Sequence, residues 1–327
     1  MVQTPARHRP EGRVESVELQ EDLDLAEAGA RYIAHVEQFR GRKRSTVHDY
    51  RIILERHLVP FFGSRPLDRI DRRSIEAYQH TKLGDGLAPK TVTNQVRFLH
   101  GIYRYAVGRE WAGRNPVSGI EHPGRSDPFR VRALSVDELA KLLRAIPEDE
   151  LGETDRGLYL MAAMTGLRRG ELQALLWANV NWATGVVRVE QSYVRGEFTS
   201  PKSAHSIRAV PFPQPVAVAL HRHRRISRFK SDEDLVFCHP RTGRPYDGSQ
   251  LLKRFKVALE LASLRDARFH DLRHTFGTQM AAAGAPLRFI QEWMGHGDYK
   301  TTSIYAAYSP DFSRAAAYAQ RAFPGFY

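Results

Sequence analysis

Two arginines, two histidines and a tyrosine follow one another along the second half of this chain. Arg168 stands in Thr165-Gly166-Leu167-Arg168-Arg169-Gly170-Glu171-Leu172, and His270 and Arg273 stand in His270-Asp271-Leu272-Arg273-His274-Thr275. His296 follows in Met294-Gly295-His296-Gly297, and Tyr305 in Thr301-Thr302-Ser303-Ile304-Tyr305. Paired guanidiniums can clamp a dianion, imidazoles can move protons, and a phenol can attack phosphorus. Together these groups could make and break a phosphodiester bond without a metal ion.

Each motif also has a plainer reading. Glu171 can pair with Arg168 and fix its fork, or the motif can be a helix-turn-helix with solvated arginines. His270 and Arg273, three apart, share one helix face. His270 and His274, four apart, would also suit a zinc pair, although the second position of a His-Glu-x-x-His signature is Asp271 here. Tyr305 lies between Tyr299 and Tyr308, so aromatic packing is its ordinary explanation. Lys202, in Thr199-Ser200-Pro201-Lys202-Ser203, sits in a turn between short strands, where a lysine is either solvated or a mobile donor reaching into a cleft. The single cysteine, Cys238, cannot form an internal disulfide and reads as a buried structural thiol.

The elements that must hold these residues are mostly helical. Residues 1–20 are polar and lack periodicity, which predicts a flexible lead-in. Four helices are predicted next: Ala26–Phe39, one opening at Ser45 and ending before Pro60, one capped by Asp71 and stopping near Gly84, and one opened by Pro89. Val92, Val96, Leu99, Ile102 and Tyr103 form the inner stripe of the fourth. The Gly-, Pro- and Ser-rich stretch 113–130 reads as a linker. Ser135 and Glu138 form a capping box that opens the second domain. Gly185–Ser192, Gly196–Ser200 and Ile207–Phe212 predict a small antiparallel sheet, and the pattern is helical again from Gly248 to about Phe323.

The chain has 327 residues, enough for about two domains, and a formal net charge of +12. Residues 1–30 hold three basic and seven acidic side chains, so the rest of the chain carries +16. A basic folded body points to a polyanionic partner. No apolar run approaches the length of a membrane span, and no apolar stretch follows the N-terminus as a secretory signal would require. A cytoplasmic protein without membrane contact is expected.

With these motifs in this order and spacing, the chain resembles the tyrosine recombinases, the phage-type integrases and their relatives, from about residue 25 to 310. The resemblance implies a mainly α fold with a small antiparallel β-sheet. A helical core-binding domain (21–112) and a linker (113–130) precede a mixed α+β catalytic domain (131–309) and a docking segment (310–327), closing as a C-shaped clamp on DNA. It implies Tyr305 as the nucleophile that forms a 3′-phosphotyrosyl link, with His270 as candidate base. Arg168 and Arg273 would hold the non-bridging oxygens, His296 would add a hydrogen bond there, and Lys202 would protonate the leaving 5′-oxygen. No cofactor and no metal are needed. The partners implied are double-stranded DNA and, in the synaptic complex, a homo-tetramer assembled from free monomers, with Phe312–Phe323 as the docking helix. Arg42, Lys43, Arg44, Lys90 and Arg97 are the DNA-contact candidates of the first domain. The reaction expected is site-specific recombination that integrates or excises a mobile element. A Xer-type resolvase, a type IB topoisomerase, a DNA-binding protein that has lost the activity and, remotely, a zinc peptidase are the alternatives.

Overall fold

Asp24 begins the first helix by accepting a hydrogen bond from the backbone of Glu27 (2.8 Å), as an N-cap aspartate should. The computed structural model describes residues 23–124, 131–199, 207–308 and 320–321. The chain divides into two units, Met1–Pro128 and Phe129–Tyr327.

The first unit is wholly helical: α1 (Leu25–Gln38), α2 (Arg44–Ile53), α3 (Val59–Phe62), α4 (Arg72–Gly84) and α5 (Pro89–Val107). The predicted break before Pro60 does not occur. A single π-helical turn, Leu54–Leu58, carries α2 into α3, and the Val59 amide bonds back to Leu54. Pro60, which has no N–H to donate, follows directly on that turn, where the regular i−4 ladder is already interrupted. Asp71 caps α4 as expected, accepting from the Ser74 amide at 2.8 Å. The inner stripe of α5 is fully buried against α1 and α4. Two buried tyrosines keep their hydroxyls bonded: Tyr78 donates to Gln95 Oε1 (2.7 Å) and Tyr103 to the Leu67 carbonyl (2.9 Å). Residues 113–124, read as the start of a linker, bury Val117 and Ile120 in this same core.

In the second unit, the Ser135–Glu138 capping box opens α6 (Val136–Arg144). Helix α7 (Gly152–Thr165) is buried almost all round and packs on α9 (Gln214–Ile226) and α11 (Phe269–Ala282). Between α7 and α9 lie the short α8 (Arg169–Gln173) and five strands: β1 (Val180–Asn181), β2 (Val186–Val189), β3 (Ser192–Val194), β4 (Glu197–Thr199) and β5 (Arg208–Pro211). They form two small antiparallel sheets, one of order β1-β2-β5 and the other the β3-β4 hairpin. Sequence reading placed β2, β4 and β5, but missed the two-residue β1, too short to show alternation, and touched β3 only at Ser192. Helices α10 (Gly248–Leu261), α12 (Leu287–Met294) and α13 (Lys300–Ser303) complete the described part. Lys202 lies outside the described residues, as does the 310–327 segment apart from residues 320–321. Among the described residues, no helix is long and apolar enough to cross a membrane.

Candidate active site

Helix α7 ends at Gly166, whose left-handed backbone (φ 67°) turns the chain sharply. A Cβ there would also sit 2.5 Å from the Phe276 ring, so the turn packs directly on α11. Beyond it, the Arg168 amide donates to Glu171 Oε2 and its guanidinium Nη1 to Glu171 Oε1, both at 2.8 Å. The pairing expected from the motif is therefore present. Glu171 is buried, and it also receives both Nη groups of Arg208, at 3.1 and 2.8 Å. Burial alone would raise the Glu171 pKa. The hydrogen bonds and charge of Arg208, joined by Arg168, overcome that and hold it at about 2.

Three guanidiniums converge on the last turn of α12. Arg208 Nε donates to the Trp293 carbonyl (2.6 Å), Arg273 Nη2 to Met294 (2.6 Å) and Arg168 Nη2 to Gly295 (2.7 Å). The last carbonyls of a helix lack intrahelical partners and carry partial negative charge, which suits three cations. Arg273 also donates to the Gly166 carbonyl, so it joins the ends of α7 and α12. Burial, then the charge of Arg168, pulls Arg273 down to about 9, where it is still cationic at neutral pH. With three guanidiniums against one carboxylate the cluster keeps excess positive charge. Arg168, with 39% of its side chain exposed, is the member open to an incoming anion.

His296 follows the left-handed Gly295 (φ 62°) and is half-buried, its Nδ1 sharing a 2.8 Å hydrogen bond with Thr302 Oγ1. Burial and then the three arginines press its pKa down to about 3, so the ring is neutral at physiological pH. His270 begins α11 and stands exposed. Partial desolvation, then His274 and Arg273, lowers its pKa toward about 4, although water at its exposed edge offsets part of that cost. A cleft of about 600 Å³ opens beside the cluster, with Arg208, Gly295 and His296 in its wall.

Tyr305 is 1% exposed, whereas Tyr299 and Tyr308 face solvent. Its ring lies over Gly277, where a Cβ would come within 2.5 Å of Cζ. Its hydroxyl shares a 2.9 Å hydrogen bond with Nδ1 of His274, not with His270. Burial pushes the phenol up to about 12 despite the nearby Arg273. The structure thus gathers Arg168, Arg273, His296 and Tyr305 around the ends of α7, α11 and α12, with His270 one turn from His274, their rings 5.1 Å apart and edge-on.

Two residues of the site were not singled out for it by sequence. His274 was weighed only as a zinc ligand, and nothing in its spacing shows that Tyr305 folds back onto it. Arg208 left a fainter signal: it shares the inward face of β5 with Val210, and a charge on the buried face of an alternating strand needs a buried partner. Cys238 is buried, its thiol pushed up to about 11, as a structural cysteine should be. The first-domain candidates Arg42, Arg44, Lys90 and Arg97 are exposed and Lys43 half-exposed, at the start of α2 and along α5.

Residues 132–311 match the phage integrase family, and residues 31–83 match the phage integrase N-terminal SAM-like domain. The chain belongs to the phage integrase family. It is 28% identical over 266 residues to a tyrosine recombinase XerC-like protein of Caldanaerobacter subterraneus subsp. tengcongensis, covering 72% of this chain and 67% of that one. Its fold is that of the Tn1549 transposon integrase solved with a circular intermediate DNA (TM-score 0.75, 21% identity, 92% of this chain and 99% of that one). The lambda integrase tetramer bound to a Holliday junction is also similar (TM-score 0.69, 19% identity, 89% and 78% covered). This recombinase is therefore an enzyme of DNA strand exchange, and site-specific recombination is its reaction.

Proposed function

We propose that Tyr305 attacks a scissile phosphate held by Arg168 and Arg273, giving a 3′-phosphotyrosyl link and a free 5′-hydroxyl. The observation that carries this reading is the convergence of three guanidiniums on consecutive carbonyls, 293 to 295, beside a buried tyrosine. Those carbonyls and Glu171 fix the arginines before any substrate arrives, so no reorganisation is needed when charge builds on the phosphate oxygens. His296, neutral and fixed by Thr302, adds a hydrogen bond there, and His270, expected from the sequence as the base, lies one turn from the histidine that the Tyr305 hydroxyl meets. Lys202 supplies the proton for the leaving 5′-oxygen. The covalent link conserves the energy of the broken bond, so rejoining to a new strand requires neither nucleotide nor metal.

The substrate is double-stranded DNA, approached by the first unit through Arg42, Lys43, Arg44, Lys90 and Arg97. Monomers free in the cytoplasm assemble on DNA as a tetramer through the 310–327 segment, by analogy with lambda integrase on a Holliday junction. The first domain runs from about residue 21 through Ile120, whose side chain packs in its core, the catalytic domain from 131 to 309, and the biological outcome is integration or excision of a mobile element.

The test is covalent trapping. The protein is given a nicked duplex carrying the sequence it selects from a randomised pool. Wild type is expected to yield a denaturant-stable protein–DNA adduct that Tyr305→Phe does not form. An adduct of equal yield from Tyr305→Phe would contradict the assignment.

A further inference from the structure

The phenol that must lose a proton is bonded to a histidine outside the five motif positions. Tyr305 Oη lies 2.9 Å from Nδ1 of His274, and both residues are buried, at 1% and 8% exposure. Two features fix this geometry. His274 sits on the buried face of α11, and Gly277 one turn later leaves the space in which the Tyr305 ring lies. A buried phenol directs its single proton at an acceptor, and a neutral imidazole offers one lone pair. Exposed His270 faces the solvent side instead.

We propose that His274 is a catalytic residue of strand cleavage, the group that accepts the Tyr305 proton and returns it on rejoining. The inference rests on Tyr305 being the nucleophile. As the Oη–phosphorus bond forms, the proton passes from Oη to Nδ1 and His274 becomes an imidazolium. The phosphorus–O5′ bond breaks, and O5′ takes its proton from Lys202. In the reverse direction the 5′-hydroxyl attacks, the phenolate leaves and recovers its proton from His274. No oxidant, reductant or metal enters the balance.

The surroundings agree with this role. Burial is the main influence holding His274 neutral before reaction. Asp271 favours its charged form, while Arg268 and Arg273 oppose it. Of the other groups around it, the His270 ring is edge-on from the same helix, Tyr305 comes from beyond α13, and His296 approaches from the end of α12. The imidazolium formed in the transition state therefore has the carboxylate of Asp271 to stabilise it.

The experiment is single-turnover cleavage of the selected nicked duplex by wild type, His274→Ala and His274→Asn. Asparagine keeps a hydrogen-bond acceptor near the Nδ1 position but cannot take a proton. Both variants are expected to bind the duplex as wild type does and to cleave about 100-fold or more slowly at neutral pH. Their rates should climb with pH where wild type has levelled off. The defect should persist when sulfur replaces the 5′-bridging oxygen, because a thiolate leaves without a proton, whereas that substrate should rescue Lys202→Ala. Cleavage by His274→Asn within about threefold of wild type would overturn the proposal, leaving His274 as a positioning residue only. Restoration of rate by the sulfur substrate would overturn it too, moving His274 to the leaving group. Loss of duplex binding by both variants would assign His274 to the fold instead. The wider reading fails separately, if wild type forms no adduct or Tyr305→Phe forms one.

Discussion

Glu171 is the residue on which the arginine cluster depends, because one buried carboxylate faces both Arg168 and Arg208. Its ordinary pKa of 4.5 is lowered to about 2 in the folded chain. A carboxyl depressed on folding stabilises the protein above its unfolded pKa, and that stability is lost as pH falls from about 4.5 toward 2. Urea unfolding of wild type is therefore expected to show a loss of stability across that window. Glu171→Gln should be less stable by about 3 to 5 kcal/mol at pH 7, since it leaves two cations without their carboxylate, and its pH dependence there should be flatter. Equal stability of the two proteins at pH 7 would contradict this. At this scale the sequence disclosed the motif residues because chemistry restricts their types: arginine for a forked anion clamp, tyrosine for an oxygen nucleophile. It did not disclose Arg208 or His274, whose roles depend on which helix end they meet after folding.

The site is made by the ends of elements rather than their middles. Helices α7 and α12 each finish at a glycine with positive φ, and the carbonyls freed there accept from Arg168, Arg208 and Arg273. Helix α11 contributes Arg273 and His274 together with the gap at Gly277. Substituting Gly277→Ala places a methyl group within 2.5 Å of the Tyr305 ring. The tyrosine must then leave its seat, so the variant is expected to retain duplex binding and lose adduct formation by about 100-fold or more. Adduct formation at the wild-type rate would show that the seat over Gly277 is not the reactive one. Most elements were legible in sequence, because caps at Asp71 and Ser135, Pro89 at a helix start and alternation in β2 and β5 are local signals. The passage through Pro60 was not, since the π turn Leu54–Leu58 follows from how Leu54 and Leu58 bury in the core and not from a local sequence signal. The buried half of the supposed linker was likewise fixed by Val117 and Ile120 meeting the first unit's core.

For the whole molecule, charge is the governing quantity. A net +12, with the first 30 residues netting −4, leaves a strongly basic body for a polyanion. Binding to duplex DNA should weaken steeply with salt, because each phosphate contact releases condensed counterions. If exposed Arg97 on α5 contacts phosphate, Arg97→Gln should weaken binding to all sequences alike and flatten the log affinity against log salt slope by about one unit. An unchanged slope would remove Arg97 from the interface. The two-unit organisation was visible in the sequence as a shift from an all-helical pattern to a mixed one.

The central claim is that Tyr305 forms the covalent bond to DNA, and mass spectrometry of the protease-digested adduct formed in the presence of EDTA tests it most directly. The account predicts a single modified peptide, carrying a DNA 3′-phosphate on Tyr305, and a released strand ending in 5′-hydroxyl. Attachment at Tyr308, attachment through a 5′-phosphate, or an adduct that EDTA abolishes would contradict it.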